Sequence, residues 1–187
     1  MLALFLAPVY ILLNIYVLRW GYLWIGNCHH LFQSMIFRLI LTVFYTLVAL
    51  TPLTGFLIRK PAFLHRILKI TSNYFLGIFM YILMVLLSID IIRLFLKYVV
   101  HASWIQSRIV FAAVGACCIC VVIIISFSGI YHAKHIKVTP YKITVDKSAP
   151  DMDSLKIVLL ADTHFGYNSG AVHAQEIVDK INEQNPD

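Results

Sequence analysis

The chain has 187 residues, 60% of them hydrophobic and 13% charged, and a net charge of +6. A soluble domain of this length has no use for so much apolar surface, so the composition belongs to the membrane class. The positive balance reads as basic loops beside anionic lipid, and the absence of a basic stripe interleaved with aromatics argues against a nucleic-acid site.

Residues 1–18 are apolar apart from Pro8 and Asn14 and predict a first transmembrane helix extending towards Ile25. They lack a basic leader and a small-residue cleavage site, which argues against a cleaved signal peptide. Arg19, Trp20, Tyr22 and Trp24 form an aromatic-basic cluster suited to the headgroup layer. Residues 26–34 form a loop. Its Cys28-His29-His30 run lacks a fourth ligand and reads as a polar interface turn. Residues 35–58 predict a second span, with Arg38 snorkelling near its start and Pro52 and Gly55 kinking its end. Arg59, Lys60, His65, Arg66 and Lys69 predict a strongly basic loop.

Residues 74–96 predict a third span that contains Asp90 and Arg93, three apart and able to pair on one helical face. A charge inside a span is a functional candidate, but near a helix end pairing and snorkelling give it a plain structural role. Residues 97–107 form a loop with Trp104 at the interface, and Arg108 leads into a fourth span over 109–130. Cys117, Cys118 and Cys120 lie within this run and read as small buried hydrophobes. The basic loop after the second span and Lys134, Lys137 and Lys142 after the fourth lie on one side, against Arg19, Lys97 and Arg108 on the other. The Lys/Arg balance predicts an integral multi-pass protein with both termini in the cytoplasm.

Beyond the fourth span the pattern changes. Residues 136–145 alternate apolar and polar side chains and predict a half-exposed strand, interrupted by Pro140. Residues 155–161, Leu-Lys-Ile-Val-Leu-Leu-Ala, predict a central strand covered on both faces. Asp162 and His164 follow at its carboxyl end, where open α/β sheets bind ligands. Two residues apart on an extended backbone, they point the same way. A carboxylate and an imidazole so placed are half of a site for Zn²⁺, Fe or Mn²⁺. On these two residues alone, an ordinary strand end with Asp162 capping a turn is the plainer reading. A loop with Gly166 and Gly170 follows, then an amphipathic helix over 171–184 with Val172, Ile177, Val178 and Ile181 on one face. Asn185-Pro186-Asp187 stops it.

The block Leu-Lys-Ile-Val-Leu-Leu-Ala-Asp-Thr-His-Phe-Gly, residues 155–166, resembles the opening block of the calcineurin-like metallophosphoesterases. More narrowly it is similar to the membrane-anchored members, where such a block follows several transmembrane helices. The resemblance implies a four-helix transmembrane region over 1–133. It implies the start of an α/β domain, an αββα sandwich, over 134–187. It implies that Asp162 and His164 ligate the first metal of a two-metal centre of Mn, Fe or Zn. The substrate would be a phosphate ester or pyrophosphate, with lipid-linked ones suited to a tethered site. The family's remaining blocks, Gly-Asp-x-x-Asp, Gly-Asn-His and Gly-His-x-His, are absent from these residues. The expectation is therefore a fragment without phosphoesterase activity of its own. The alternative is a non-enzymatic multi-span protein whose C-terminal remnant contacts a partner.

Overall fold

The computed structural model describes residues 2–146, 154–161, 163 and 165–187. The chain divides into two compact units, Met1–Phe127 and Ser128–Asp187. The first is helical throughout: α1 (Leu2–Cys28), a 3-10 turn (His30–Gln33), α2 (Met35–Ala49), α3 (Thr51–Leu57), α4 (Ala62–Tyr98), a 3-10 turn (Ser103–Gln106) and α5 (Arg108–Lys134), which runs on into the second unit. Three helices are long and apolar enough to cross a membrane, and α2 with α3, bent by 47°, makes a fourth if taken as one span.

Contacts along the helices fix how the first unit is arranged. Tyr22 on α1 bonds Thr42 and the Arg38 carbonyl, while Tyr10, three turns earlier, donates to Ala49 O at 2.6 Å, so α2 runs antiparallel to α1. Tyr10 packs edge-on to Phe79 at 5.8 Å and Tyr16 reaches Asp90 at 2.7 Å, so α4 runs parallel to α1. Trp24 donates to Ala112 O and Arg108 to Asn27 O, which sets α5 antiparallel to α1. The centre is the α1–α4 seam of Val17, Trp20, Phe79, Leu83 and Leu86. The outward faces carry exposed Leu, Ile, Val and Phe side chains such as Leu12, Ile36, Leu47 and Ile124. An apolar exterior around a small aromatic core is how helices pack when lipid, not water, is the solvent.

The α2–α3 bend has a local cause. Pro52 has no N–H for the Val48 carbonyl four residues earlier. Thr51 Oγ1 donates to that carbonyl at 2.7 Å, and the Ala49 carbonyl beside it takes the Tyr10 hydroxyl. The expected kink is therefore satisfied from two directions, its own helix and a neighbour.

Four expectations are corrected in this region. The basic loop is short, because α4 begins at Ala62 and carries His65, Arg66 and Lys69 on its first turns. At 37 residues α4 is about 55 Å long at 1.5 Å per residue, well beyond the ~30 Å apolar layer, so its basic start extends past it. Trp20 and Trp24 pack against the protein and not outward as a lipid-facing belt. Trp20 is 6% exposed in the core, and Trp24 lies partly buried against it and over Gly115 of α5. Of the three clustered cysteines only Cys118 is buried, while Cys117 and Cys120 face outward. Residues 26–34 are not all loop, since α1 continues to Cys28 and a 3-10 turn follows.

In the second unit no strand occurs among the described residues. The strands expected over 136–145 and 155–161 are not formed there. Tyr141 is 84% exposed, Ile143 82% and Leu159 90%. A strand gains its stability from a laddered neighbour and a covered face, and among the described residues these segments have no ladder beyond the single Asp187–Lys156 backbone bond. The expected helix is present as α6 (Ala171–Glu183). Only Ile177 of its expected apolar face is buried, and Val172 and Val178 are exposed. Asn185 ends it in the left-handed region at φ 46°, a conformation Asn tolerates better than most residues, and Pro186 follows.

Candidate functional site

Asp162 and His164, the metal ligands implied by the sequence, lie outside the described residues. Their surroundings are partly described. The Gly-rich loop closes on itself: Gly166 N–H donates to Ser169 O at 3.4 Å and Ser169 N–H to Gly166 O at 3.3 Å. α6 starts directly after it. At the far end of α6 the chain returns to the apolar run, where Asp187 N–H donates to Lys156 O at 3.2 Å and Lys156 N–H to Asp187 Oδ2 at 2.7 Å. Among the described residues no group of three or more His, Cys, Asp or Glu could hold a metal ion. His29 is engaged otherwise, since its Nδ1 accepts from Leu31 N–H and caps the 3-10 turn. His173 faces Glu176 at 3.4 Å on α6.

The most connected polar group in the first unit is Asp90. Its Oδ2 accepts from Tyr16 OH at 2.7 Å, and its Oδ1 accepts from Trp20 Nε1 at 3.3 Å and faces Arg93 Nη1 at 3.6 Å. Arg93 in turn lies over the Phe111 ring at 4.7 Å, and Phe111 meets Trp20 at 5.3 Å between centroids. The cluster joins α1, α4 and α5. The sequence gives the Asp90–Arg93 pair through its spacing but not the two α1 donors. The available signal is the four-residue spacing of Tyr16 and Trp20, which sets both on one face of α1. Bonded through both oxygens, Asp90 ties α4 to α1. A second polar tie lies one to two turns away, where Asn14 Nδ2 donates to Tyr10 O and Asn14 Oδ1 accepts from Tyr45 OH, both at 2.8 Å.

Comparison of the chain with family models, with curated proteins and with solved structures gave no match.

Proposed function

We propose that this chain is the membrane-embedded front of a calcineurin-like metallophosphoesterase, in which four spans tether a two-metal hydrolase to the bilayer with both termini in the cytoplasm. The observation that carries the reading is the order of residues 155–187: an apolar run, Asp-x-His, a Gly loop, an amphipathic helix and Asn-Pro-Asp. The Lys156–Asp187 contact supports it. α6 brings the chain back beside the start of the apolar run, which is the return a βαβ crossover makes before a second parallel strand. The exposure of Ile157 and Leu159 fits a strand sequence that needs further strands to cover it.

In this reading Asp162 and His164 ligate one of two Mn, Fe or Zn ions. The ions would lower the pKa of a bound water and polarise the phosphoryl oxygens of a phosphate ester or pyrophosphate, lipid-linked substrates included. A carboxylate and an imidazole suit those ions chemically. Two donors do not fix a catalytic ion, which needs three or more protein ligands. No step of hydrolysis is therefore derived from these residues, and the 187-residue chain by itself is expected to turn over no phosphate ester.

The coding frame beyond codon 187 tests the reading. It should continue as an apolar strand ending in Gly-Asp-x-x-Asp, with Gly-Asn-His and Gly-His-x-His further on. Membranes carrying that full frame should hydrolyse p-nitrophenyl phosphate with added Mn²⁺, and Asp162→Ala should abolish the activity. A stop codon, or activity indifferent to Asp162→Ala, would sink the enzyme reading.

A further inference from the structure

The C-terminal end of α1 and the starts of α2 and α5 enclose an open pocket of about 380 Å³ whose lining includes Tyr22, Asn27, Gln33, Arg38 and Arg108. No carboxylate lines it, and neither arginine has an acidic partner among the described residues. Arg108 is held in place: its Nε donates to Asn27 O at 3.0 Å and its Nη2 to Gly26 O at 3.4 Å. A guanidinium has five N–H donors, so three remain for another acceptor. Gln33 is anchored beside it through Nε2 to Gly26 O at 2.8 Å. Arg38 lies over the Tyr22 ring at 6.0 Å and makes no hydrogen bond through its guanidinium among the described residues. Both arginines also occupy first turns, Arg38 of α2 and Arg108 of α5, and neither turn carries an acidic residue. A cation there opposes the helix dipole. The pocket thus gathers two guanidiniums and two positive helix ends with nothing in the protein to balance them.

We propose that this pocket binds a phosphate group, presented by the headgroup of an anionic phospholipid or by free phosphate. Arginine forks match phosphate oxygens in geometry as well as charge. The volume lies at the small end of ligand sites, suiting a headgroup and not a large solute. The pocket opens at helix ends flanked by exposed apolar side chains such as Leu23 and Ile36, the depth at which lipid phosphates lie.

Native mass spectrometry of the 187-residue chain in an uncharged detergent tests this with three probes: phosphatidylglycerol, phosphatidylcholine and inorganic phosphate. Phosphatidylglycerol should be retained about tenfold over phosphatidylcholine, whose phosphate is balanced by its own choline cation and brings that cation towards the two arginines. Arg38→Gln is the deciding variant, because Arg108 also caps α1 and its loss can disturb the fold. Arg38→Gln should melt with the wild type and lose the preference, while Arg38→Lys keeps part of it. Binding of inorganic phosphate that Arg38→Gln abolishes, without a lipid preference, assigns the site to the free anion. Equal retention of the two lipids with no phosphate binding overturns the proposal, and so does a phosphatidylglycerol preference that survives Arg38→Gln.

Discussion

Asp90 is a carboxylate inside an apolar helix, and Tyr16, Trp20 and Arg93 occupy both its oxygens. Cross-helix hydrogen bonds in membrane proteins contribute about 0.6 kcal/mol each, up to ~1.7. Asp90→Ala removes two of them and leaves Arg93 without its carboxylate, so the expected loss is about 1–3 kcal/mol. SDS-driven unfolding in mixed micelles measures it. Asp90→Asn keeps an acceptor and should lose less than half as much. If the two variants unfold alike, the charge and not the acceptor geometry is what matters. Gly115 is a second residue with a defined job. A Cβ there would overlap the Trp24 indole, whose Nε1 is fixed on Ala112 O at 2.9 Å. Gly115→Ala is expected to cost about 1–3 kcal/mol by overpacking, and close to nothing in a Trp24→Leu background, where the indole is gone. At this scale the Asp90–Arg93 pair was legible from its spacing. The partners of Asp90 were not, because they depend on how α1 is rotated against α4. α1 is nearly uniform in apolarity, and its polar marks point apart, Asn14 buried and Arg19 exposed, so its sequence gives little sign of which face is inward. Asp162 and His164 are singled out only by the block they sit in, and they lie outside the described residues.

At the scale of elements, the bend between α2 and α3 shows how a missing donor is replaced. Pro52 withholds an N–H from Val48, and Thr51 Oγ1 takes its place at 2.7 Å. Thr51→Val should therefore destabilise the protein by about 1 kcal/mol, the value of one hydrogen bond. In a Pro52→Ala background the new N–H can bond Val48 O directly, and the same Thr51→Val change should cost much less. A double-mutant cycle in the same unfolding assay reads the coupling. Equal costs in both backgrounds would mean that the hydroxyl does not replace the proline's lost bond. The kink was readable because proline has a fixed steric meaning. So was α6, from its helical period and its Asn-Pro stop. The two strand patterns were readable as patterns, but a strand exists only with a partner, and residues 136–145 and 155–161 stand exposed without one. The beginning of α4 was misread for a different reason. Basic residues mark where a chain leaves the lipid, and a helix can continue past that point without a break.

At the scale of the whole membrane unit, one pair of contacts bears on the choice between three crossings and four. Arg108 at the start of α5 bonds Asn27 and Gly26 at the end of α1. The loop after α4 therefore lies on the same face as the loop after α1. α4 is a single unbroken helix of 37 residues, and one crossing cannot bring the chain back to the face it left. The bent pair α2–α3, which makes a fourth span if taken as one, is then expected to supply the return crossing, where a re-entrant loop would leave three. Native Cys28 reports on this directly. It is exposed at the end of α1, whereas Cys117 and Cys120 sit about 14–18 Å along α5 from its start at 1.5 Å per residue, beyond reach of a charged reagent. If both termini lie in the cytoplasm, as proposed, an impermeant maleimide should label Cys28 in intact cells. A Ser107→Cys variant in a Cys28→Ser background should label from the same side. Labelling of Cys28 only after permeabilisation would invert the orientation while leaving four spans intact. Opposite accessibility of positions 28 and 107 would instead make α2–α3 a re-entrant loop and require that the Arg108–Asn27 contact be absent in the bilayer.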